Sequence, residues 1–120
     1  MVKSPQLRTL LTAIALVLGV GWASQALQAW SRDRLGSQVA SGARPGDIQM
    51  VSSVTCPYCA DARAWFTRHG VAFTECFIER DEACAAQYRA LMAPGTPVIL
   101  VRGNGLVGFD ANAVAAALVR

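Results

Sequence analysis

Residues 48–69 read IQMVSSVTCPYCADARAWFTRH, and the fold turns on this stretch. Residues 48–51 are a short β-prone run, and from 59 to 69 Ala62, Trp65 and Phe66 recur on one face of a helix that Gly70 stops. Between strand and helix stand Cys56, Pro57, Tyr58 and Cys59, two thiols three positions apart at a helix start. Cys56 enters the helix where unpaired N–H groups and the positive end of the dipole favour a thiolate, and Cys59 lies one turn on, beside it. A thiolate at the first position attacks a disulfide, and the second thiol resolves the mixed disulfide that forms. Pro57 suits the first helical turn, since it has no N–H to leave unpaired.

Working outward, residues 71–78 form an apolar, β-branched and aromatic run expected to be a second strand. Asp81 is placed to cap a helix on which Cys84, Tyr88 and Leu91 recur, and Pro94 and Gly95 end it. Residues 97–101 and 106–109 flank Gly103, Asn104 and Gly105, a hairpin signal, and Asp110 caps a last helix running to Val119. The order β, α, β, α, β, β, α implies a parallel first pair, an antiparallel last pair and a mixed four-stranded sheet flanked by three helices.

Toward the N-terminus, residues 9–31 contain no charge and centre on Leu10, Leu11, Ile14, Leu16, Val17, Leu18 and Val20. About 20 such residues at ~1.5 Å each cross the ~30 Å hydrocarbon layer. Lys3 and Arg8 supply a positive start, and Trp22 and Trp30 suit an interface, so residues 1–31 are expected to be a signal anchor or a signal peptide cut near Ala23 or Ala26. Residues 32–46, rich in Ser, Gly, Arg and Gln, are expected to be a flexible tether, leaving 47–120 as the folded domain. Lys3, Arg8, Arg32, Arg34 and Arg44 against Asp33 leave the first 46 residues at +4, while six arginines against seven acids leave the rest at −1. The basic excess flanks the apolar segment rather than forming a face on the domain, which argues for lipid head groups and against nucleic acid.

With this order of elements in hand, Thr55-Cys56-Pro57-Tyr58-Cys59 resembles the active site of dithiol glutaredoxins, in the thioredoxin superfamily. Thr96-Pro97 resembles the cis-proline segment facing the active-site cysteine there, and Gly108-Phe109-Asp110 resembles the turn that holds the γ-glutamyl end of glutathione. The resemblance covers about 47–119. It implies an α/β, thioredoxin-like fold, to which the apolar N-terminal segment, outside the resemblance, adds a hydrophobic helix. It further implies a thiol–disulfide oxidoreductase with Cys56 as nucleophile and Cys59 as resolving thiol. Tyr58, Thr96, Pro97, Gly108, Phe109 and Asp110 would touch substrate or glutathione, a co-substrate rather than a bound cofactor. The partners implied are protein disulfides or glutathione mixed disulfides. At one point the chain departs from the pattern: Ser53 stands where many glutaredoxins carry a lysine that helps bind a glutathione carboxylate.

Cys76 and Cys84, at the end of the second strand and the start of the second helix, could bridge, could stay as buried thiols, or could relay electrons. Their spacing does not suit a structural zinc site, and no metal is expected. His69 at a helix end is expected to offset the dipole or to be solvated. The domain is expected to act as a monomer on the extracytoplasmic, periplasmic side of a membrane. Two rival functions remain: a membrane-anchored binding or assembly module without turnover, and a thiol-based metal carrier.

Overall fold

Alternation along two strands sets the layers. In the computed structural model, which describes residues 4–120, β1 (Ile48–Ser52) gives Ile48 and Met50 to one core and Val51 to another. β3 (Val98–Val101) likewise divides Ile99 and Val101 from Val98 and Leu100. Successive strand side chains point to opposite faces, so two strands buried on both sides need a helical layer above and below.

Those layers are α2 (Pro57–Arg68) and α4 (Ala111–Leu118), which bring Ala62, Phe66, Val114, Ala117 and Leu118 to the Met50 face, and α3 (Glu82–Leu91), which brings Cys84, Tyr88 and Leu91 to the Val51 face. With β2 (Thr74–Phe77) and β4 (Asn104–Val107) the sheet has the order β2-β1-β3-β4. β1 runs parallel to β2 with Val51 beside Cys76, and antiparallel to β3 with Met50 beside Ile99. β3 and β4 pair antiparallel with Ile99 beside Leu106. This is the mixed four-stranded, thioredoxin-like sheet with three flanking helices that the element order implied.

Two elements fall differently from the sequence reading. The second strand begins only at Thr74, because the Val71 N–H turns back to the Phe66 carbonyl at 2.9 Å and closes the end of α2. The hairpin turn sits on Arg102 and Gly103, with φ of 48° and 85°, and Asn104 and Gly105 pair within β4. A two-residue turn with both φ values positive matches the twist of its strands. Arg102 tolerates that backbone because it is held: its N–H donates to the Asp47 carbonyl at 2.7 Å, and its guanidinium to the Leu118 carbonyl at 2.6 Å and the Asp47 carboxylate at 3.2 Å. The Arg44 N–H, and then Arg102, hold the Asp47 carboxyl below its ordinary value.

The chain divides into two compact units, one ending at Asp33 and one spanning Arg34–Arg120. α1 (Pro5–Gly42) contributes to both. In the first unit it is, among the described residues, the helix long and apolar enough to cross a membrane, with a mean hydropathy of 1.8 over its most apolar 18-residue window. Thr9, Thr12, Ser24 and Ser31 donate their hydroxyls to carbonyls three or four residues earlier at 2.8–2.9 Å, so their polar groups are satisfied within the helix.

In the second unit, residues 34–42 are helical and packed, which corrects the expected tether. Val39 is fully buried, Leu35, Ala40 and Ala43 pack on the same core, and Gly36 lies against the His69 imidazole. Leu35, Gly36, Val39, Ala40 and Ala43 recur at helical spacing on one face, which the Ser, Gly and Arg content of the segment hides. The remaining link is the turn at 43–47, closed by the Asp47 N–H to the Arg44 carbonyl at 3.0 Å. His69 itself is packed rather than solvated, its ring 4.6 Å from that of Trp65.

Candidate active site

β1 ends at Ser52 and the chain turns through 53–55 into Cys56, the N-cap of α2, with extended backbone (φ −102°, ψ 106°) and Pro57 in the first helical turn. The Cys59 N–H donates to Cys56 Sγ at 3.1 Å. An N-cap acceptor ordinarily satisfies one of the helix's unpaired donors, and here that acceptor is sulfur. Cys56 and Cys59 are joined as a disulfide, with Cα atoms 5.2 Å apart. Cys59 is fully buried, while Cys56 is partly exposed. When the bridge is reduced, the N–H bond and the helix dipole both favour a thiolate at the accessible Cys56 sulfur.

Facing that sulfur is the segment before β3. The Thr96–Pro97 peptide bond is cis, and the Thr96 carbonyl oxygen lies 3.4 Å from Cys56 Sγ. Pro97 is buried, and its carbonyl accepts the Gly108 N–H at 2.8 Å, which ties the turn after β4 to the proline. Gly108 has φ +78°, a backbone that suits glycine at this turn. Phe109 follows, braced by Trp65 and Phe66 with ring centroids 5.4 and 5.3 Å away.

A groove of about 370 Å³ opens beside the disulfide, lined by Tyr58, Asp61, Thr96, Pro97, Gly108 and Phe109. It thus gathers five of the six residues expected to touch substrate, with Tyr58 well exposed at 71%. Asp110 is not among the lining residues: its Oδ1 accepts the Asn112 and Ala113 N–H groups at 2.9 and 3.4 Å and caps α4.

Two acidic residues at or near the site escaped the sequence reading. Asp61 lines the groove three residues after Tyr58. That i, i+3 spacing on α2 places the pair on one helix face and was the available signal. Glu79 accepts a hydrogen bond from the Ser53 hydroxyl and another, at 3.1 Å, from the Val54 N–H, bracing the loop before Cys56. The Ser53 hydroxyl, followed by the Val54 N–H, holds the Glu79 carboxyl below its ordinary value. Glu79 sits in the loop between Cys76 and Cys84, which are bridged with Cα atoms 5.9 Å apart, so of the readings left open for this pair the structure has the disulfide. Cys84 is 2% exposed and packs with Val51, Val98 and Leu100.

Behind the site, Arg63 on α2 clasps Glu75 on β2 through two bonds of 2.6 and 3.0 Å, and the fully buried Ser52 hydroxyl donates to the same carboxylate at 2.9 Å. The clasp ties the middle of α2 to β2, and through Ser52 to the end of β1 from which the chain turns into Cys56. Glu75 holds the Arg63 guanidinium above its ordinary value.

Fold and site together define a thioredoxin-fold protein with a dithiol–disulfide pair at the first helix start. The family model described as Glutaredoxin matches residues 48–106. Among solved structures, a thioredoxin-like protein crystallised as a point mutant is 20% identical, covers 62% of this chain and 96% of its own, and superposes with a TM-score of 0.56. Methanoredoxin from Methanosarcina acetivorans is 23% identical over 66% of this chain and 90% of its own (TM-score 0.52), and a glutaredoxin from Archaeoglobus fulgidus is 20% identical over 62% and 86% (TM-score 0.50). No curated protein matches the sequence. Residues 48–106 thus match the glutaredoxin family on a thioredoxin-like fold, and the general chemistry of that family is thiol–disulfide exchange.

Proposed function

We propose that the domain exchanges electrons through the Cys56-Pro57-Tyr58-Cys59 dithiol with protein disulfides or with glutathione mixed disulfides. The observation that carries this reading is the asymmetry of the pair: an accessible Cys56 sulfur that accepts an N–H bond at a helix start, next to a buried Cys59. In the reductive direction the Cys56 thiolate attacks one sulfur of the substrate disulfide, forms a mixed disulfide and expels the other sulfur as a thiolate. Cys59, losing its proton, then attacks Cys56 Sγ, closes the Cys56–Cys59 bridge and releases the second substrate thiolate. Two electrons pass from the dithiol to the substrate, and the two thiolates take up protons from solvent or from Cys59.

Thr96 and Pro97 would present an extended substrate beside Cys56, with Tyr58, Gly108 and Phe109 as the walls. Asp110 Oδ2, which accepts no hydrogen bond among the described residues, would receive the amine if glutathione enters as co-substrate. The apolar part of α1 supports a membrane anchor or signal segment. Two disulfides in one small domain support an oxidising compartment, the extracytoplasmic, periplasmic side, where the same site would accept electrons or isomerise disulfides. Both faces of the sheet are covered by the domain's own helices, which supports a monomer.

The test is a trap. A reduced Cys59→Ser protein incubated with a disulfide-bonded peptide should accumulate a mixed disulfide at Cys56, detected by mass, and Cys56→Ser should accumulate none. Full biological activity in Cys56→Ser would instead favour the binding module.

A further inference from the structure

We propose that Asp61 selects the substrate of this groove, favouring a disulfide flanked by lysine or arginine and disfavouring one flanked by carboxylates. The inference rests on the dithiol reading above and names the class of peptide that the site takes. Of the six residues lining the groove, Tyr58, Thr96, Pro97, Gly108 and Phe109 carry no formal charge, so the charge that a bound peptide meets there is the Asp61 carboxylate.

That carboxylate is not neutralised from within. Among the described residues it enters no ion pair or hydrogen bond through its side chain, and it is exposed. Arg63, on the same helix, is clasped by Glu75, and Arg80, in the loop after β2, lies over the Phe77 ring at 5.0 Å. Neither lines the groove. In the loop before Cys56, Ser53 meets Glu79, which adds a second negative charge near the site.

Position makes the charge effective. Tyr58 and Asp61 are one turn apart on α2, and Tyr58 lies between the two thiols, so a peptide bonded to Cys56 and stretched along Thr96 and Pro97 has its flanking side chains beside that turn. A strand rises ~3.3 Å per residue, so a groove of this size holds the cysteine and its immediate neighbours. A cationic neighbour gains an attraction there and an acidic neighbour meets a like charge. Glutathione, with two carboxylates against one amine, falls on the disfavoured side. The effect is that of an exposed pair, screened by salt.

The test uses the full chain in detergent micelles, pre-reduced with dithiothreitol and desalted. The probes are two otherwise identical peptides whose single cysteine is activated as a mixed disulfide with 2-thiopyridine, a leaving group without charge, with lysine or glutamate beside the cysteine. Release of the thiopyridine gives the rate constant for attack by Cys56. At low salt the lysine peptide should react about tenfold faster than the glutamate peptide with the native protein. The ratio should fall to within about twofold in Asp61→Asn and reverse in Asp61→Lys. A native protein that reacts with both peptides at the same rate, or a ratio unchanged in Asp61→Asn, overturns the inference and leaves the dithiol reading standing. A native protein that reacts with neither peptide overturns both.

Discussion

Breaking the Cys76–Cys84 bridge should loosen the whole domain, by an amount set by the loop it closes. The two cysteines are eight residues apart. On the chain-entropy relation a loop of that length is worth about 2.5 kcal/mol at 25 °C through the unfolded state. Cys76 is only partly buried, so Cys76→Ala removes the cross-link with little cavity of its own. The measurement is hydrogen exchange at the Met50 and Ile99 amides, on the two central strands, where exchange reports global opening of the domain whatever the state of the apolar helix. At 1.36 kcal/mol per decade, the loss should speed exchange about 70-fold. Cys84→Ala, which loses the same cross-link and also opens a small void among Val51, Val98 and Leu100, should be faster still, by no more than about 1 kcal/mol. The Cys56–Cys59 pair is kept oxidised throughout. Acceleration below about fivefold in Cys76→Ala would refute the reasoning, because the bridge would then not be restricting the unfolded chain as the loop length requires.

Three further perturbations probe the supports of the site. Gly36→Ala should lower the thermal midpoint, because the new Cβ overlaps the His69 imidazole, and the ~1–3 kcal/mol of overpacking outweighs the ~1 kcal/mol gain in helix propensity; a raised midpoint would contradict it. Glu79 has its carboxyl held below the ordinary 4.5, so its hold on the Val54 N–H is fully present above that pH and is lost as the pH falls through the lower folded value. Exchange at the Val54 amide, corrected for its intrinsic rate, should therefore lose protection in the native protein as the pH falls through that lowered value, and at every pH in Glu79→Ala. Arg63→Ala leaves the Glu75 carboxylate with the Ser52 hydroxyl alone and should cost about 1–2 kcal/mol in urea unfolding, allowing for the exposure of the arginine; an unchanged midpoint would mean the clasp does not hold α2 to the sheet.

What the sequence made legible is what local chemistry decides. Cys56 and Pro57 announce a helix start, Asp81 and Asp110 were read as caps, and each does accept the N–H groups of the turn that follows it. Residues 34–42 read as a tether because the face they bury, Gly36 and Val39 with Leu35 and Ala40 beside them, is only two turns long and is interrupted by Ser37, Gln38 and Ser41. Such a face becomes visible only when a partner, here the Trp65–His69 end of α2, is seen to need a close approach. Asp61 and Glu79 escaped for a different reason. Each is an ordinary surface acid until the fold puts one in the groove and the other under Val54. The Cys76–Cys84 pairing stayed open because spacing alone does not say that the end of β2 and the start of α3 face each other.

The two bridges of this domain have the same covalent chemistry, and their surroundings give them opposite roles. Exchange requires a thiolate to reach one sulfur and the other sulfur to leave with its charge stabilised. At Cys56–Cys59 the first sulfur is partly exposed at the edge of a groove, and as a leaving thiolate Cys56 keeps the Cys59 N–H and the helix dipole. At Cys76–Cys84 one sulfur belongs to a residue 2% exposed among Val51, Val98 and Leu100, an apolar setting that disfavours a thiolate. The other has only the Gln49 amide, 3.9 Å away. A mild dithiol should therefore open the first bridge while the second stays closed and keeps the Glu79 loop against Val54. On the function proposed above, the Cys56–Cys59 pair can then cycle without the domain losing its staple, and it is this difference in access and anion stabilisation that would let one small fold carry both.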